Sequence, residues 1–274
     1  MPKILKYSAP SIAVHLTRLL NLYISTSTWP TEWKLSHVTP VFKKDDATLV
    51  SNYRPISVLS IIPKILEKVN FDQLYDVFKP LFSSNMSGFL RGHSCYTALI
   101  KMFDDWRLAL DSKKVIGSIA IDLSKAFDSI CHNLLLAKLR AYGVGEEAID
   151  FLHSHLSGRK QRVKVNGVFS NWLPAVYCGV PQGSLLGPLL FNIFINDDDT
   201  AAYASNTDIS ALELSLNKDL KNLSSWFASN YLFVNSKKTQ AMILSKHSRE
   251  STLYWRHRYQ NKWLPEYPWC SFGL

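Results

Sequence analysis

The chain has 274 residues, of which 47% are hydrophobic, so it can bury one sizeable core or two smaller ones. Its 31 Lys and Arg residues against 22 Asp and Glu residues give a formal net charge of +9, which suits a polyanionic partner. The four cysteines are far apart and form no C-x-x-C pair, which disfavours a zinc site or a disulfide framework and favours a reducing compartment.

Helices and short strands alternate irregularly along the first half of the chain. Residues 11–25 predict an amphipathic helix whose apolar face is interrupted by polar residues, so neither a signal peptide nor a membrane span fits. We therefore expect an intracellular protein, nuclear or cytoplasmic, without a membrane partner. The other predicted elements are a strand over 37–42, a turn at 52–55, a helix from Pro63 to about Val77, a helix from Cys95 to about Leu110 with Ser94 as its N-cap, and a buried strand over 115–121.

The second half continues the same mixture. The predicted elements are helices over 134–141 and 146–156, a strand from Arg162 followed by a turn and a second strand to about Tyr177, an apolar helix capped by Ser184 and ending at Ile195, an amphipathic helix over 212–228 and a strand over 240–244. The absence of a regular βαβ rhythm predicts an α+β fold rather than a doubly wound one.

Two groups of carboxylates stand at the ends of apolar segments. Asp122 follows the predicted strand, where its carboxylate would emerge at a sheet edge, and Asp198 and Asp199 belong to a run that begins at Asp197. Adjacent carboxylates repel one another unless a cation neutralises them, and oxygen ligands of this type suit Mg²⁺. The alternatives are that Asp122 caps the following turn and that the run is a solvated acidic turn.

A glycine-rich loop precedes the apolar helix, with the sequence Gly-Val-Pro-Gln-Gly-Ser over 179–184. Gly183 would let the backbone approach a ligand closely, and the Gln182 amide carries both a donor and an acceptor. A plain loop-to-helix turn explains the glycines and the proline but gives Gln182 no role.

Two basic groups could contact phosphates. Lys43, Lys44 and Arg54 flank a strand and a turn, where they could clamp a triphosphate, or they form a solvated surface cluster. Arg91 and His93 precede a helix whose N-terminus could receive a phosphate, although His93 alone is typical of a loop histidine.

Six segments, taken in this order, resemble the reverse transcriptases of non-LTR (LINE-type) retrotransposons, most nearly the jockey and CR1-like groups. The resemblance runs from about Trp33 through Lys246. The segments are TPVFKK at 39–44, NYRPIS at 52–57, GFLRGHS at 88–94, DLSKAFD at 122–128, GVPQGS at 179–184 and NSKKT at 235–239.

The resemblance implies a right-hand polymerase with fingers and palm that performs two-metal nucleotidyl transfer with Mg²⁺ or Mn²⁺. The implied partners are an RNA template, a DNA primer and deoxynucleoside triphosphates. Phe127 matches an aromatic gate that would reject a ribose 2′-hydroxyl. The implied catalytic and metal-binding residues are Asp122, Asp198 and Asp199; the nucleotide-binding residues are Lys43, Lys44, Arg54, Phe127, Gln182 and Lys238; the template-binding residues are Arg91, His93, Ser94 and Gly183.

The chain departs from the family pattern in two places. The family carries a Tyr-Ala-Asp-Asp turn between two palm strands, whereas here Phe194-Ile-Asn-Asp197 runs straight into Asp198. We therefore expect a truncated palm hairpin and impaired polymerase activity, unless residues 191–195 leave the helix and replace the missing strand. A non-catalytic nucleic-acid-binding remnant of a retroelement is the alternative function.

The second departure is the end of the chain, where we expect no thumb. Residues 248–274 are basic and aromatic without an apolar period. This tail either stacks on nucleic acid or reflects a shifted reading frame or a wrongly assigned exon. The predicted organisation is therefore a helical lead-in over 1–30, fingers and palm over 31–247, and a divergent tail over 248–274.

Overall fold

Helices and strands are mixed throughout the computed structural model, which confirms the predicted α+β class. The structure describes residues 2–174, 178–181, 183–196 and 203–245. The chain forms two compact units, the first from Met1–Phe82 with Ile130–Asn196 and the second from Ser83–Ser129 with Asp197–Leu274. The predicted tail over 248–274 lies outside the described residues.

In chain order, the described residues form the following helices and strands. They are α1 (Pro2–Ser25), β1 (Leu35–Phe42), β2 (Tyr53–Val58), α2 (Ile61–Phe78), α3 (Cys95–Asp111), β3 (Val115–Ala120), β4 (Leu123–Ser124), α4 (His132–Ala141), α5 (Glu146–Leu156), β5 (Lys160–Val165), β6 (Val168–Phe169), β7 (Leu173–Pro174), α6 (Leu186–Ile195), β8 (Tyr203–Asn206), α7 (Ile209–Ser229), β9 (Phe233–Val234) and β10 (Gln240–Leu244). None of these helices is long and apolar enough to cross a bilayer.

The sheet of the first unit is built around β1. Strand β1 pairs antiparallel with β2 and parallel with β5, and β5 also pairs with the short strands β6 and β7. The turn predicted at 52–55 is wrong, because Arg54 and Pro55 pair with Val41 and Pro40 inside the β1–β2 ladder. The turn is a 3₁₀ segment, Val50–Asn52, that ends just before the strand. A proline is tolerated in β2 because this strand lies at the edge of the described sheet.

The core of the first unit joins elements that are distant in sequence. Leu20 of α1 packs with Trp29, Leu66 of α2 and Phe151 of α5. Helix α6 is buried on nearly all sides and packs against α2 and α4. The alternative in which residues 191–195 leave the helix to form a strand is not seen in the structure, since α6 extends to Ile195. Apolar side chains around the whole circumference are typical of a helix inside a core.

The second unit places β3 at the centre of its sheet. Strand β3 pairs antiparallel with β10 on one side and with β8 on the other. Val115 and Ile119 of β3 pack against Leu212 and Leu216 of α7. A Cβ atom at Gly117 would collide with the Leu216 side chain, so the glycine allows α7 to lie close to the strand. A separate two-stranded ladder joins β4 to β9. Strand β4 follows β3 in the chain, and β9 precedes the segment that leads into β10.

Candidate active site

Asp122 lies between β3 and β4 in the second unit, at the strand end where the sequence predicts a catalytic carboxylate. Its backbone carbonyl accepts a hydrogen bond from the Asn235 N–H at 2.7 Å, which ties this strand end to the β9–β10 segment. Its side chain is 44% exposed, and Oδ2 lies 3.6 Å from Nζ of Lys238. The ion pair with Lys238 is the contact that the structure gives this carboxylate, and both the metal-binding role and the turn-cap alternative stay predictions.

Lys238 reaches Asp122 because a tight turn precedes β10. The Asn235 carbonyl accepts hydrogen bonds from the N–H groups of Lys238 and Thr239 at 3.0 and 2.9 Å and from the Thr239 hydroxyl at 3.0 Å. Strand β10 then pairs with β3, and Gln240 is opposite Ala120. The structure thus brings together two residues that the sequence predicts separately. Because both side chains are about half exposed, the ion pair orients the carboxylate more than it stabilises the fold.

Phe127 is held in an aromatic pair with Phe89. Lys125 takes a left-handed backbone conformation (φ +49°), and the 3₁₀ turn Ala126–Asp128 follows it. The Phe127 ring then meets the Phe89 ring edge to face, with ring centroids 5.7 Å apart. The pair joins two predicted motif segments, 88–94 and 122–128. Phe89 was missed by the sequence prediction, although its place beside Gly88 in a motif was an available signal.

Ser94 is the N-cap of α3, as predicted. Its hydroxyl accepts a hydrogen bond from the Thr97 N–H at 3.3 Å, and its own N–H donates to the Thr97 hydroxyl at 2.8 Å, which completes a capping box. The preceding His93 ring lies 3.2 Å from the Arg91 carbonyl through Nδ1. Arg91 and His93 are exposed, so contact of these three residues with a template stays a prediction.

Tyr203 attaches β8 to α3 and was missed by the sequence prediction. Its hydroxyl donates a hydrogen bond to Oδ2 of Asp105 at 2.5 Å, and its ring meets the buried Trp106 ring edge to face. The hydrogen bond to the carboxylate raises the pKa of Tyr203 to about 12, so the phenol keeps its proton. Strand β8 follows the acidic run in the chain. The contacts of Tyr203 therefore hold the first residue of this strand against α3.

The basic residues of the first unit lie at one end of the β1–β2 ladder. Arg54 of β2 pairs with Val41 of β1, and the N–H of Lys43 extends the ladder with a hydrogen bond to the Asn52 carbonyl at 2.9 Å. Lys43, Lys44 and Arg54 are all exposed. The structure therefore brings Lys43 and Arg54 together, and both a triphosphate clamp and a solvated cluster stay open.

The loop between Cys178 and α6 is attached to three parts of the first unit. The Gly179 N–H donates to the Ile130 carbonyl at 2.7 Å, and the His132 Nε2–H donates to the Gly179 carbonyl at 2.7 Å. Gly183 has φ +106°, and a Cβ atom built there would lie 2.7 Å from the Ser57 carbonyl oxygen. The close backbone approach predicted at Gly183 is therefore to β2 of the protein itself, and its contact with a template stays a prediction.

Beneath this loop lies a buried carboxylate that the sequence prediction missed. Glu67 of α2 is 1% exposed, and its Oε2 accepts a hydrogen bond from the Leu185 N–H at 2.7 Å. Burial raises the pKa of Glu67, while hydrogen bonds from Leu185 and the Ser184 hydroxyl and the charge of Arg159 lower it. The available signal was the position of Glu67 on the buried face of α2, beside Leu66 and four residues after Pro63.

Ser184 and Arg159 complete the surroundings of this carboxylate. The Ser184 oxygen accepts hydrogen bonds from the N–H groups of Leu186 and Gly187 at 3.1 and 3.3 Å, which confirms its predicted capping role. The buried Arg159 donates to the His155 carbonyl at 2.7 Å. Burial lowers the pKa of Arg159 to about 10, so its charge persists at neutral pH.

The predicted metal site is described only in part. Among the described residues, no three His, Cys, Asp or Glu side chains are grouped closely enough to hold a metal ion. Asp122 offers a hard carboxylate oxygen at an accessible strand end, which fits Mg²⁺. Gln182, Asp198 and Asp199 lie outside the described residues, so their predicted roles stay predictions.

Comparisons with known proteins confirm the predicted resemblance. The family model described as reverse transcriptase (RNA-dependent DNA polymerase) matches residues 41–198, which is more than half of the chain. The probable RNA-directed DNA polymerase from transposon BS of Drosophila melanogaster is 28% identical over 258 residues, covering 82% of this chain and 27% of that protein. The RNA-directed DNA polymerase from mobile element jockey of the same species is 28% identical over 197 residues, covering 70% of this chain and 21% of that protein. The chain thus spans only 21–27% of the length of these two relatives.

A solved structure shows the same fold. Telomerase from Candida tropicalis, in complex with a fragment of telomeric RNA, matches with a TM-score of 0.55 at 14% identity. The match covers 87% of this chain and 46% of that one. The likeness confirms the predicted right-hand polymerase fold.

Proposed function

Because the chain belongs to the reverse transcriptase (RNA-dependent DNA polymerase) family, we propose that it forms the fingers and palm of a retrotransposon's RNA-directed DNA polymerase. The observation that supports this proposal most directly is Asp122. It lies at the end of the central strand of the second unit, inside the matched region, with its carboxylate accessible and oriented by Lys238. The proposed partners are an RNA template, a DNA primer and deoxynucleoside triphosphates, in the nucleus or cytoplasm.

The proposed catalytic carboxylates are Asp122, Asp198 and Asp199, which would hold Mg²⁺ or Mn²⁺. When bound, the metal ions would activate the primer 3′-hydroxyl and neutralise the triphosphate. The chain itself would supply orientation, because the Asn235 N–H and the β3–β10 ladder fix the backbone of Asp122. The ammonium group of Lys238 lies 3.6 Å from that carboxylate. It would either donate a proton to the leaving pyrophosphate or neutralise part of its negative charge.

Substrate selection would use one aromatic ring, a group of basic side chains and the residues of two loops. Phe127, supported edge to face by Phe89, would present its ring to the sugar and reject a ribose 2′-hydroxyl. Arg54 and Lys43, at one end of the β1–β2 ladder, would bind the triphosphate, together with Lys44. Gln182 would contact the template or the incoming nucleotide, while Arg91, His93, Ser94 and Gly183 would contact the template.

A non-catalytic nucleic-acid-binding role is the second candidate, and one observation favours it. Helix α6 continues to Ile195, so residues 191–195 are helical and do not supply a strand ahead of the acidic run. The family pattern places a strand there, directly before the acidic turn. A site that lacks this support would hold Asp198 less accurately, and metal sites tolerate little displacement of their ligands.

Primer extension on an RNA template with Mg²⁺ tests the leading proposal. The leading proposal predicts measurable incorporation of deoxynucleotides by the wild-type chain, even if the truncated hairpin lowers it. It also predicts a further loss of more than about a hundredfold in Asp122→Asn, because the substitution removes the negative charge of a proposed metal ligand but little volume. Asp104→Asn is the matched control, since Asp104 is an exposed carboxylate of the same unit. Equal losses in both variants would contradict the role of Asp122.

Binding measured at several salt concentrations separates the two candidates. A wild-type chain that extends no primer, yet binds RNA with an affinity that falls steeply as salt rises, would support the non-catalytic role. A chain that neither extends primers nor binds RNA in a salt-dependent manner would refute both.

A further inference from the structure

A buried carboxylate on α2 destabilises the folded protein unless other groups compensate for its lost hydration. Glu67 is 1% exposed, and a carboxylate removed from water loses hydration that hydrogen bonds must replace. The replacements come from the Leu185 N–H and the Ser184 hydroxyl, just before α6. Glu67 and Leu185 are 118 residues apart in sequence, so this is a tertiary contact and not a local capping motif.

The same loop is held at two further points. Gly179 is attached through its N–H to Ile130 and through its carbonyl to His132, and Gly183 lies against the Ser57 carbonyl of β2. These contacts determine where the loop starts and how closely it approaches β2. The Glu67 contact determines where the loop ends and where α6 begins.

We propose that Glu67 is a positioning residue, whose carboxylate fixes the start of α6 and thereby places Gly183 and Ser184, at the end of the loop that begins at Gly179, for contact with template or nucleotide. The placement of the loop stands on the contacts of the first unit alone, whereas its use for template or nucleotide rests on the proposed function. Glu67 itself touches no substrate in this proposal.

A carboxylate suits this position better than an amide. Both of its oxygens accept hydrogen bonds, and its charge is favoured near the positive N-terminal end of α6. A glutamine side chain has one acceptor oxygen and one NH₂ group. The NH₂ group would therefore lie opposite the Leu185 N–H or the Ser184 hydroxyl, and because both groups are donors, one hydrogen bond would be lost. Glu67→Gln should therefore loosen the loop although it removes a buried charge.

Amide hydrogen exchange tests the placement of the loop. We expect residues 183–187 to exchange about tenfold faster in Glu67→Gln, because a charge-assisted hydrogen bond is lost. The denaturation midpoint should not fall, and exchange in β3 should not change. Asp76→Asn is the matched control, because Asp76 is an exposed carboxylate on the same helix, and it should leave all of these rates at wild-type values. If Glu67→Gln does not fold, Glu67→Asp keeps the charge on a shorter side chain and should show the same local increase.

Steady-state kinetics test the use of the loop. In primer extension, Glu67→Gln should raise the KM for the nucleotide by a larger factor than it lowers kcat, which a general loss of folded protein would not do. A wild-type chain without activity would refute the proposed function, and the exchange rates would still decide the role of Glu67. Unchanged exchange at 183–187, or equal acceleration at every amide, would overturn the proposal.

Discussion

Replacement of Gly183 by alanine tests the close packing of the loop on β2. The residue has φ +106°, in the region that side chains with a Cβ atom avoid. The added Cβ atom would also lie 2.7 Å from the Ser57 carbonyl oxygen, well inside van der Waals contact. The substitution therefore combines backbone strain with a steric clash against a backbone atom that cannot rotate away.

The two costs can be separated with a second glycine of the same unit. Gly143 also has a positive φ, +86°, but a Cβ atom there would meet nothing within 4 Å. Gly143→Ala should lose about 1–2 kcal/mol of unfolding free energy from backbone strain alone. Gly183→Ala should lose about 1–3 kcal/mol more, which is the usual cost of forcing extra volume into a packed site.

Denaturant titration of both variants measures this difference. We expect a lower midpoint for Gly183→Ala than for Gly143→Ala, with the same denaturant dependence for both. Nucleic-acid binding should also weaken in Gly183→Ala if the loop contacts the template. Equal midpoints would mean that the loop moves away from Ser57 at little cost, and the close packing would then have no energetic importance.

Three further predictions concern single side chains. Tyr203→Phe removes the hydrogen bond to Asp105 and should lower the unfolding free energy by about 1 kcal/mol in denaturant titration, while Tyr231→Phe, an exposed control, should not. Phe127→Ala should increase the use of ribonucleotides about tenfold or more relative to deoxynucleotides in primer extension; unchanged selectivity would remove Phe127 as the gate. Burial raises the pKa of Glu67 above its ordinary value of 4.5, so the folded state binds this proton more tightly than the unfolded state. The unfolding free energy should therefore fall as pH rises from about 4.5 and level off above the folded-state pKa, and Glu67→Gln should lack this fall.

Elements with strong local signals could be predicted from the sequence. Helix α5 and strand β10 have the predicted bounds, and the Ser94 cap of α3 is where a serine before an apolar-periodic run predicts it. Strand β2 was mistaken for a turn, because Asn and Pro are turn residues and the pairing partner in β1 is not visible locally. Strand β8 was missed because its four residues, mostly polar or small, show no clear alternation.

The residues of the candidate site also divide into those that have a local sequence signal and those that do not. Residues within continuous motifs, such as Asp122 and Lys238, could be identified from sequence, and the structure brings this pair together. Glu67 could not, because its role appears only when α2 meets a loop 118 residues later. Tyr203 and Asp105 are likewise 98 residues apart. Local sequence therefore indicates the groups that would perform chemistry, while the groups that position them are determined by tertiary packing.

The end of α6 decides whether a palm strand can form before the acidic run. Conversion of residues 191–195 into a strand would expose Ile193 and Phe194, which are fully buried, and would break the hydrogen bond from Lys138 Nζ to the Phe194 carbonyl at 2.7 Å. At about 1.5–3 kcal/mol for each large side chain and about 1–2 for the hydrogen bond, the loss is about 4–8 kcal/mol. Whole domains are stable by only about 5–15 kcal/mol, so the helix should persist.

Hydrogen exchange across α6 measures this persistence directly. The amides of residues 190–195 should exchange as slowly as those of β1 and α5, with and without an RNA–DNA substrate, because opening them requires loss of the core that α6 shares with α2 and α4. Fast exchange limited to 191–195, or protection there that appears only with substrate, would show that the segment leaves the helix. In that case the missing palm strand would be supplied by α6, and the structural reason for favouring a non-catalytic role would disappear.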